Sequence, residues 1–176
     1  MHAVTIDRPQ RTTERRPTFA EAAEATLDDV FGYLLYLARD RETAEDLTSA
    51  TYEKALRQWH RFDPVRGHPR AWLLGIARTT ALDWFRAEKR RRRREEIAAV
   101  PERIEEPFAE GLSPALEAAL AELSAGEREV IALRVVLDLD GDAAGRVLGI
   151  SATAVSTRLS RALQRLEEKV TADDLR

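Results

Sequence analysis

Residues 70–94 read Arg-Ala-Trp-Leu-Leu-Gly-Ile-Ala-Arg-Thr-Thr-Ala-Leu-Asp-Trp-Phe-Arg-Ala-Glu-Lys-Arg-Arg-Arg-Arg-Arg. No proline interrupts the stretch and only Gly75 weakens it, so it reads as one helix of about six to seven turns. Leu73, Ile76, Ala77, Thr80 and Trp84 recur at helical spacing, on a face that can pack against a core. Arg78, Thr79, Leu82, Arg86, Lys89 and Arg90 fall roughly opposite. A basic edge beside aromatic residues suits nucleic acid, because cations neutralise phosphates and rings stack on bases. The competing reading is a solvated helix end, with cations placed favourably near its C-terminal dipole.

Outward from this helix the charge is arranged in blocks. The formal net charge is −3 over 176 residues, but residues 54–94 carry thirteen basic and three acidic groups. Residues 19–53 carry two basic and nine acidic groups, and residues 95–127 one and nine. Residues 1–18 are net positive, and residues 128–176 carry eight groups of each sign. Alternating blocks predict several charged surfaces with different partners, which the mean charge conceals. The chain has no cysteine, which excludes disulfides, thiolate metal sites and a cysteine nucleophile and fits a reducing cytoplasm. No apolar run approaches the ~20 residues that span a bilayer, so membrane insertion is not expected. Residues 1–17 are polar, lack an apolar signal core and read as a disordered tail.

Helical periods dominate, with no alternating strand pattern and no hairpin signal. The expected fold is all-α, with two small helical domains. In the first, residues 18–94, Thr18-Phe-Ala-Glu21 is a capping box. It opens a helix expected to bury Leu27, Val30, Phe31, Leu34, Leu35 and Ala38. Asp40 can cap a second helix whose inner side holds Ala44, Leu47, Thr51, Ala55, Leu56 and Trp59. Residues 62–69 contain two prolines and Gly67 and read as a loop before the long helix, which gives a three-helix bundle. Residues 95–112 form an acidic linker, with Glu95, Glu96, Glu102, Glu105, Glu106 and Glu110. A plain solvating spacer accounts for it on composition alone.

The second domain, residues 113–171, begins at Ser113-Pro114, an N-cap followed by proline at the first helical position. Leu116, Leu120 and Leu123 line one face. Ser124-Ala-Gly-Glu127 is a second capping box leading to Val130, Ile131, Leu133 and Val136. Residues 138–142 break the pattern. A short helix with Ala143, Ala144, Val147 and Leu148, the turn Gly149-Ile150-Ser151, and a helix with Val155, Leu159, Ala162, Leu163 and Leu166 then form a helix-turn-helix. In that motif the second helix enters the major groove by its N-terminal residues. Here those are Thr153, Ser156, Thr157, Ser160 and Arg161, with Arg158 on the flank for phosphate; an ordinary helix pair is the alternative.

Two motifs together resemble the bacterial extracytoplasmic-function (ECF) sigma factors. The first runs Ala44-Glu-Asp-Leu-Thr-Ser-Ala-Thr-Tyr-Glu-Lys-Ala-Leu56, continued by Arg70–Arg78 and the basic helix end. The second joins Leu123–Arg134 to Leu148–Leu166. Their order and spacing cover about residues 19–170. The resemblance implies a sigma domain 2-like unit that binds core RNA polymerase and melts the −10 element. It also implies a domain 4-like unit that reads the −35 element and contacts the polymerase flap. The linker is similar to the segment that threads the polymerase channels, and an anti-sigma factor is an expected partner. No cofactor and no catalytic residue are expected, because the polymerase performs the chemistry.

Carried over by position, Phe62 and Thr79 match base-capture residues, with Trp59, Arg61, Arg66, Arg78, Arg86, Lys89 and Arg90 also placed on −10 DNA. Core packing is the other reading of Trp59 and Phe62, and His60 with His68 makes a poor metal pair in a cysteine-free polar loop. Glu45, Asp46, Ser49 and Glu53 would face the polymerase clamp. The chain departs from the family pattern at Ser49-Ala50, Thr79, Ser156, Leu163 and Asp140–Gly145, where two glycines are expected to weaken the first helix of the helix-turn-helix. Two rival readings follow from the same residues: a stand-alone helix-turn-helix regulator of duplex DNA, and a degenerate sigma-like protein that only sequesters a partner.

Overall fold

The computed structural model describes residues 16–94, 107–108 and 111–174. Most of the acidic linker and the first fifteen residues of the expected tail therefore lie outside the described residues. The described chain is all helical. The helices are α1 (Phe19–Glu24), α2 (Leu27–Ala38), α3 (Arg41–Gln58), α4 (Pro69–Arg94), α5 (Pro114–Glu122), α6 (Ala125–Ile131), α7 (Gly141–Leu148) and α8 (Ala152–Asp174). A 3-10 turn, Trp59–Arg61, follows α3, and a π-helical turn, Ala132–Val136, follows α6.

Local chemistry sets the helix starts. Thr18 and Ser124 each accept a hydrogen bond from the backbone N–H three residues on, and Glu21 and Glu127 return it, so both capping boxes form. Asp40, Ser113 and Asp140 cap α3, α5 and α7 through their side chains. Between α2 and α3, Arg39 adopts a left-handed backbone at φ 50°, which allows an abrupt reversal.

Four helices, not three, build the first unit. The expected opening helix breaks at Ala25–Thr26. The Thr26 hydroxyl donates to the Ala22 carbonyl at 2.7 Å and lies 3.0 Å from the Tyr52 hydroxyl of α3, so a tertiary contact ends α1. Val30 and Leu34 are buried as expected, but Leu27 is exposed. On α3, Ala44, Leu47, Thr51 and Ala55 face inward, whereas Leu56 is 58% exposed. Arg16 also departs from the expected tail. Its guanidinium donates to the Trp59 carbonyl at 2.6 Å and lies 5.9 Å from the ring centres of both Trp59 and Phe62.

The long helix α4 is central. Leu73, Ile76 and Ala77 are buried as the periodicity predicts, and so are Leu74 and Ala81 outside that stripe. The reason is that α4 packs against α2 and α3 on one side and against α7 of the second unit as well. The two units thus share one continuous core.

The second unit is a helix-turn-helix of α7 and α8, flanked by α5 and α6, both of which pack on α8. Gly149 at φ 71° makes the turn. Val136 and Leu163, expected inside, are exposed. The π turn accounts for Val136, because its i→i+5 bond from Leu137 N–H to the Ala132 carbonyl shifts the register by one residue.

Gly145 has a positive reason to be glycine. A Cβ there would meet the Ile150 carbonyl at 2.7 Å, so only a bare backbone lets α7 approach the turn this closely. At Gly141 an added Cβ would meet Ala152 Cβ at 3.6 Å, an ordinary contact. Gly145→Ala is therefore expected to lower unfolding free energy by about 1–3 kcal/mol as overpacking. Gly141→Ala should be neutral or stabilising by up to ~1 kcal/mol. Urea denaturation of the two variants measures both, and equal behaviour would refute the packing argument.

Candidate nucleic-acid interface

The loop after α3 and the first half of α4 enclose a cavity of about 410 Å³. Its walls include Arg61, Phe62, Arg66 and Thr79 of the predicted −10 set, together with Lys54, Trp72 and Arg146. The geometry follows from an aromatic stack. Phe62 lies nearly parallel to Trp59 with centroids 4.7 Å apart, and both rings meet Trp72 edge-on. Phe62 is only 3% exposed, so its ring is a packed wall that offers little free face. Trp59 is half-buried, between Phe19, Phe62 and Trp72. Core packing thus describes both rings, the other reading of these residues, even though Phe62 still borders the cavity.

The turn over residues 63–66 projects Val65, 93% exposed, beyond the cavity. The Asp63 carboxylate accepts from Val65 N–H at 3.0 Å and holds the turn. Lys54 donates to the Thr79 hydroxyl at 3.4 Å, so a cation stands over the position predicted for base capture. Lys54 was not in the predicted set. Its spacing from Gln58 on α3 and from Arg61 in the 3-10 turn that follows is the signal that could have found it, since all three line the cavity.

Along α4, Arg86, Lys89 and Arg90 are exposed together with Arg91–Arg94. Arg86 pairs with Asp83 at 3.1 Å. Glu88 accepts from Arg91 and Arg92, and the hydrogen bond from Arg91 is the main cause that lowers its carboxyl to about 2. That charge stays on Glu88 at any physiological pH, where it tempers the five-arginine run.

Arg78 does not join this surface. Its guanidinium makes a two-pronged pair with Glu129 of α6, Nε to Oε1 at 2.9 Å and Nη2 to Oε2 at 3.2 Å. Glu129 is buried, and the Tyr33 hydroxyl of α2 lies 3.5 Å from the same Oε1. Burial pushes the Tyr33 phenol above its ordinary value, so it stays neutral beside the carboxylate.

The predicted polymerase-facing residues Glu45, Asp46, Ser49 and Glu53 are all exposed on α3. Glu45 pairs with Arg41 at 3.1 Å and Glu53 with Arg57 at 3.6 Å, exposed contacts of small energetic weight.

The second basic surface lies at the start of α8. Thr153, Thr157, Arg158 and Arg161 line a cavity of about 700 Å³ with Ser124, Gly126 and Arg165. Ser156 and Ser160 are exposed nearby but do not line it. Arg158 lies along Gly126, its Nη1 3.3 Å from where a Cβ would stand. Arg165 pairs with Glu127 at 3.0 Å. The Ser124 hydroxyl, hydrogen-bonded to Glu127, is the main cause that holds this carboxyl below its ordinary value, and Arg165 adds to it.

A helical unit with a basic, aromatic-walled cavity and a second unit with an exposed helix-turn-helix are the parts of a bipartite DNA-binding protein. Residues 22–91 match the family Sigma-70 region 2, and residues 113–166 match Sigma-70, region 4. The ECF RNA polymerase sigma factor SigC of Mycobacterium tuberculosis is 33% identical over 156 residues, covering 86% of this chain and 83% of its own length. SigX of Bacillus subtilis, also an ECF RNA polymerase sigma factor, is 27% identical over 170 residues, covering 86% of this chain and 82% of its own. Among solved structures, the sigma factor RpoE of Bartonella quintana, crystallised with the anti-sigma factor NepR, aligns with a TM-score of 0.74 at 25% identity over 88% of this chain and 98% of that one. The chain belongs to the ECF RNA polymerase sigma factors, which act in transcription initiation. Among the described residues no helix is long and apolar enough to cross a membrane.

The Ser124–Glu127 box yields a pH prediction. A carboxyl whose folded pKa is depressed adds stability above its unfolded pKa and loses it as pH falls through the folded value. Ser124→Ala is expected to cost ~1 kcal/mol at neutral pH, the usual weight of such a cap. It should also shrink the stability difference between pH 7 and the acid range. Urea midpoints across that range measure both, and an unchanged acid slope would show that Ser124 does not control Glu127.

Proposed function

We propose that residues 18–94 engage the −10 element and the core polymerase, and that residues 113–171 read the −35 element. Residues 95–112 then serve as the acidic linker and residues 1–17 as a tail whose last residues cover the aromatic stack. In this reading a single strand lies along Arg86, Lys89 and Arg90, with a base edge offered to the cavity walled by Arg61, Phe62, Arg66 and Thr79. Trp59 supports Phe62 from behind. Arg78 reaches DNA only when its pair with Glu129 parts. The exposed acids Glu45, Asp46 and Glu53, with Ser49, meet a basic surface of the polymerase. Thr153, Ser156, Thr157, Ser160 and Arg161 face base edges in the major groove, and Arg158 a phosphate.

The observation that carries this reading is the presence, in one chain matching both sigma regions, of a basic cavity on α4 and an exposed α8 N-terminus. The protein acts in the cytoplasm with the polymerase, contributes no catalytic group of its own, and has an anti-sigma factor as a partner. The last point is supported by the similarity to RpoE, solved with NepR.

Run-off transcription with bacterial core RNA polymerase on fragments that include the region upstream of its own gene tests the proposal. A specific transcript that appears only with the protein is expected. Co-elution with core enzyme and no transcript would instead mark a sequestering protein, and a shift of duplex DNA without polymerase would mark a stand-alone regulator. Arg161→Ala is expected to weaken −35 recognition by about 1–3 kcal/mol with relaxed preference at one base pair. Equal loss on every −35 sequence would assign Arg161 to phosphate alone.

A further inference from the structure

Aromatic seats extend beyond the spans matched to the two sigma regions, residues 22–91 and 113–166. Phe108, between them, is buried with its ring 5.1 Å from that of Tyr36, and the Arg39 guanidinium lies 4.0 Å from its centre. Arg16, ahead of both spans, is exposed and sits on the Trp59–Phe62 stack. The sequence around Arg16 limits its freedom. Pro17 fixes its own φ and biases Arg16 toward an extended backbone, and Thr18 opens α1 as its N-cap. Phe19, on the first turn of α1, packs edge-on against Trp59 with centroids 5.6 Å apart, so Arg16 sets out from a point already fixed on the stack. Its guanidinium then makes one hydrogen bond and two ring contacts. Nη2 donates to the Trp59 carbonyl at 2.6 Å, and the group lies 5.9 Å from the ring centres of both Trp59 and Phe62.

The carbonyl that Arg16 takes is the one that places Phe62. Trp59 C=O also accepts from Phe62 N–H at 3.0 Å, the bond that closes the three-residue 3-10 turn and sets the direction in which the chain leaves α3. Beyond Phe62 the chain enters a loop with Pro64 and Gly67 before Pro69 begins α4. The backbone of Phe62 is therefore tied to α3 by one bond of a short 3-10 turn, a geometry of weaker hydrogen bonding than the α-helix. Arg16 braces both ends of that bond, the acceptor through Nη2 and the donor residue through its ring. We propose that Arg16 is a positioning residue for promoter melting: it clamps the Trp59–Phe62 stack, so that the Phe62 ring keeps the wall against which a displaced −10 base is held. The proposal rests on the −10 reading of that cavity for its consequence. Arg16 is not among the residues that line the cavity, so it acts on the base through Phe62. A wall already ordered when the base arrives spares the binding step the cost of ordering it. Without Arg16 the core of the first unit remains, and the ordering of the turn moves into the melting step.

Two measurements on the full chain test this. In the free protein, Arg16→Ala should change the near-ultraviolet circular dichroism of the Trp59, Phe62 and Trp72 cluster, while helicity and the urea midpoint stay those of the parent. An unchanged near-ultraviolet spectrum would overturn the clamp. The second measurement uses holoenzyme assembled with core RNA polymerase, on the promoter found by run-off transcription. Arg16→Ala should co-elute with core enzyme as the parent does and form heparin-resistant complexes several-fold more slowly on the duplex. The deficit should shrink on the same promoter with a mismatched, already unpaired −10 segment. Arg16→Lys keeps the charge but not the planar contact with two rings, so it should not restore the rate. A cation that only meets phosphate gives the opposite pattern, equal loss on duplex and mismatched templates and recovery with lysine. That pattern, or no slowing on the duplex, would overturn the positioning role. Arg16→Gln carries the same comparisons if the alanine variant loses helicity. A parent that yields no transcript would remove the −10 reading and the role in melting with it, whereas the spectroscopic arm still reads whether Arg16 holds the stack.

Discussion

The fold depends on the burial demanded by α4. Its 26 residues carry apolar side chains on more than one face, while its last two turns are almost purely cationic. Such a helix cannot be satisfied by one layer of neighbours. The α2–α3 pair covers part of it, and α7 covers more. Every other arrangement follows from this: the capped reversal at Arg39 that returns α3 alongside α2, the loop that lifts the aromatic stack to the end of α4, and the location of the helix-turn-helix beside the cavity. The cationic end projects beyond the core, where water and nucleic acid can compete for it.

The interface between the two units joins the apolar α4–α7 packing to a polar contact at Arg78. The part-buried, two-pronged Arg78–Glu129 pair exchanges much of the hydration of two charges for one geometrically demanding contact. Such a pair is a modest source of net stability compared with an apolar contact of the same size. It is, however, selective of register, because a displaced guanidinium would leave the buried Glu129 carboxylate uncompensated. An interface built this way holds one defined arrangement.

Much of this was legible in the sequence. The helix starts at Thr18, Asp40, Ser113 and Ser124 were announced by short capping patterns that act within four residues, and the structure has each of them. The long α4 and the Gly149 turn were equally plain. What the sequence hid was non-local. Periodicity cannot tell whether Leu27, Leu56, Val136 or Leu163 faces the core or the outside, because the spacing is compatible with both. The break at Thr26 needed Tyr52 from another helix. Leu74 reads as off-stripe, yet it is fully buried on a helix that packs against α2, α3 and α7. The partner of Arg78 lies 51 residues away, and no local pattern points to it. Gly145 looked like a weakness on propensity alone, yet its missing side chain makes room for the Ile150 carbonyl.

The seat of Phe108 also sets a length. Between the end of α4 at Arg94 and Pro107 the chain has twelve residues, so the return from the basic helix end to the Tyr36 side of the first unit is made within that length. A fully extended chain advances about 3.3–3.6 Å per residue, so Arg94 and Pro107 lie within ~45 Å of each other. A single side chain, seated between Tyr36 and Arg39, thereby fixes where the chain of the second unit sets out relative to the basic end of α4.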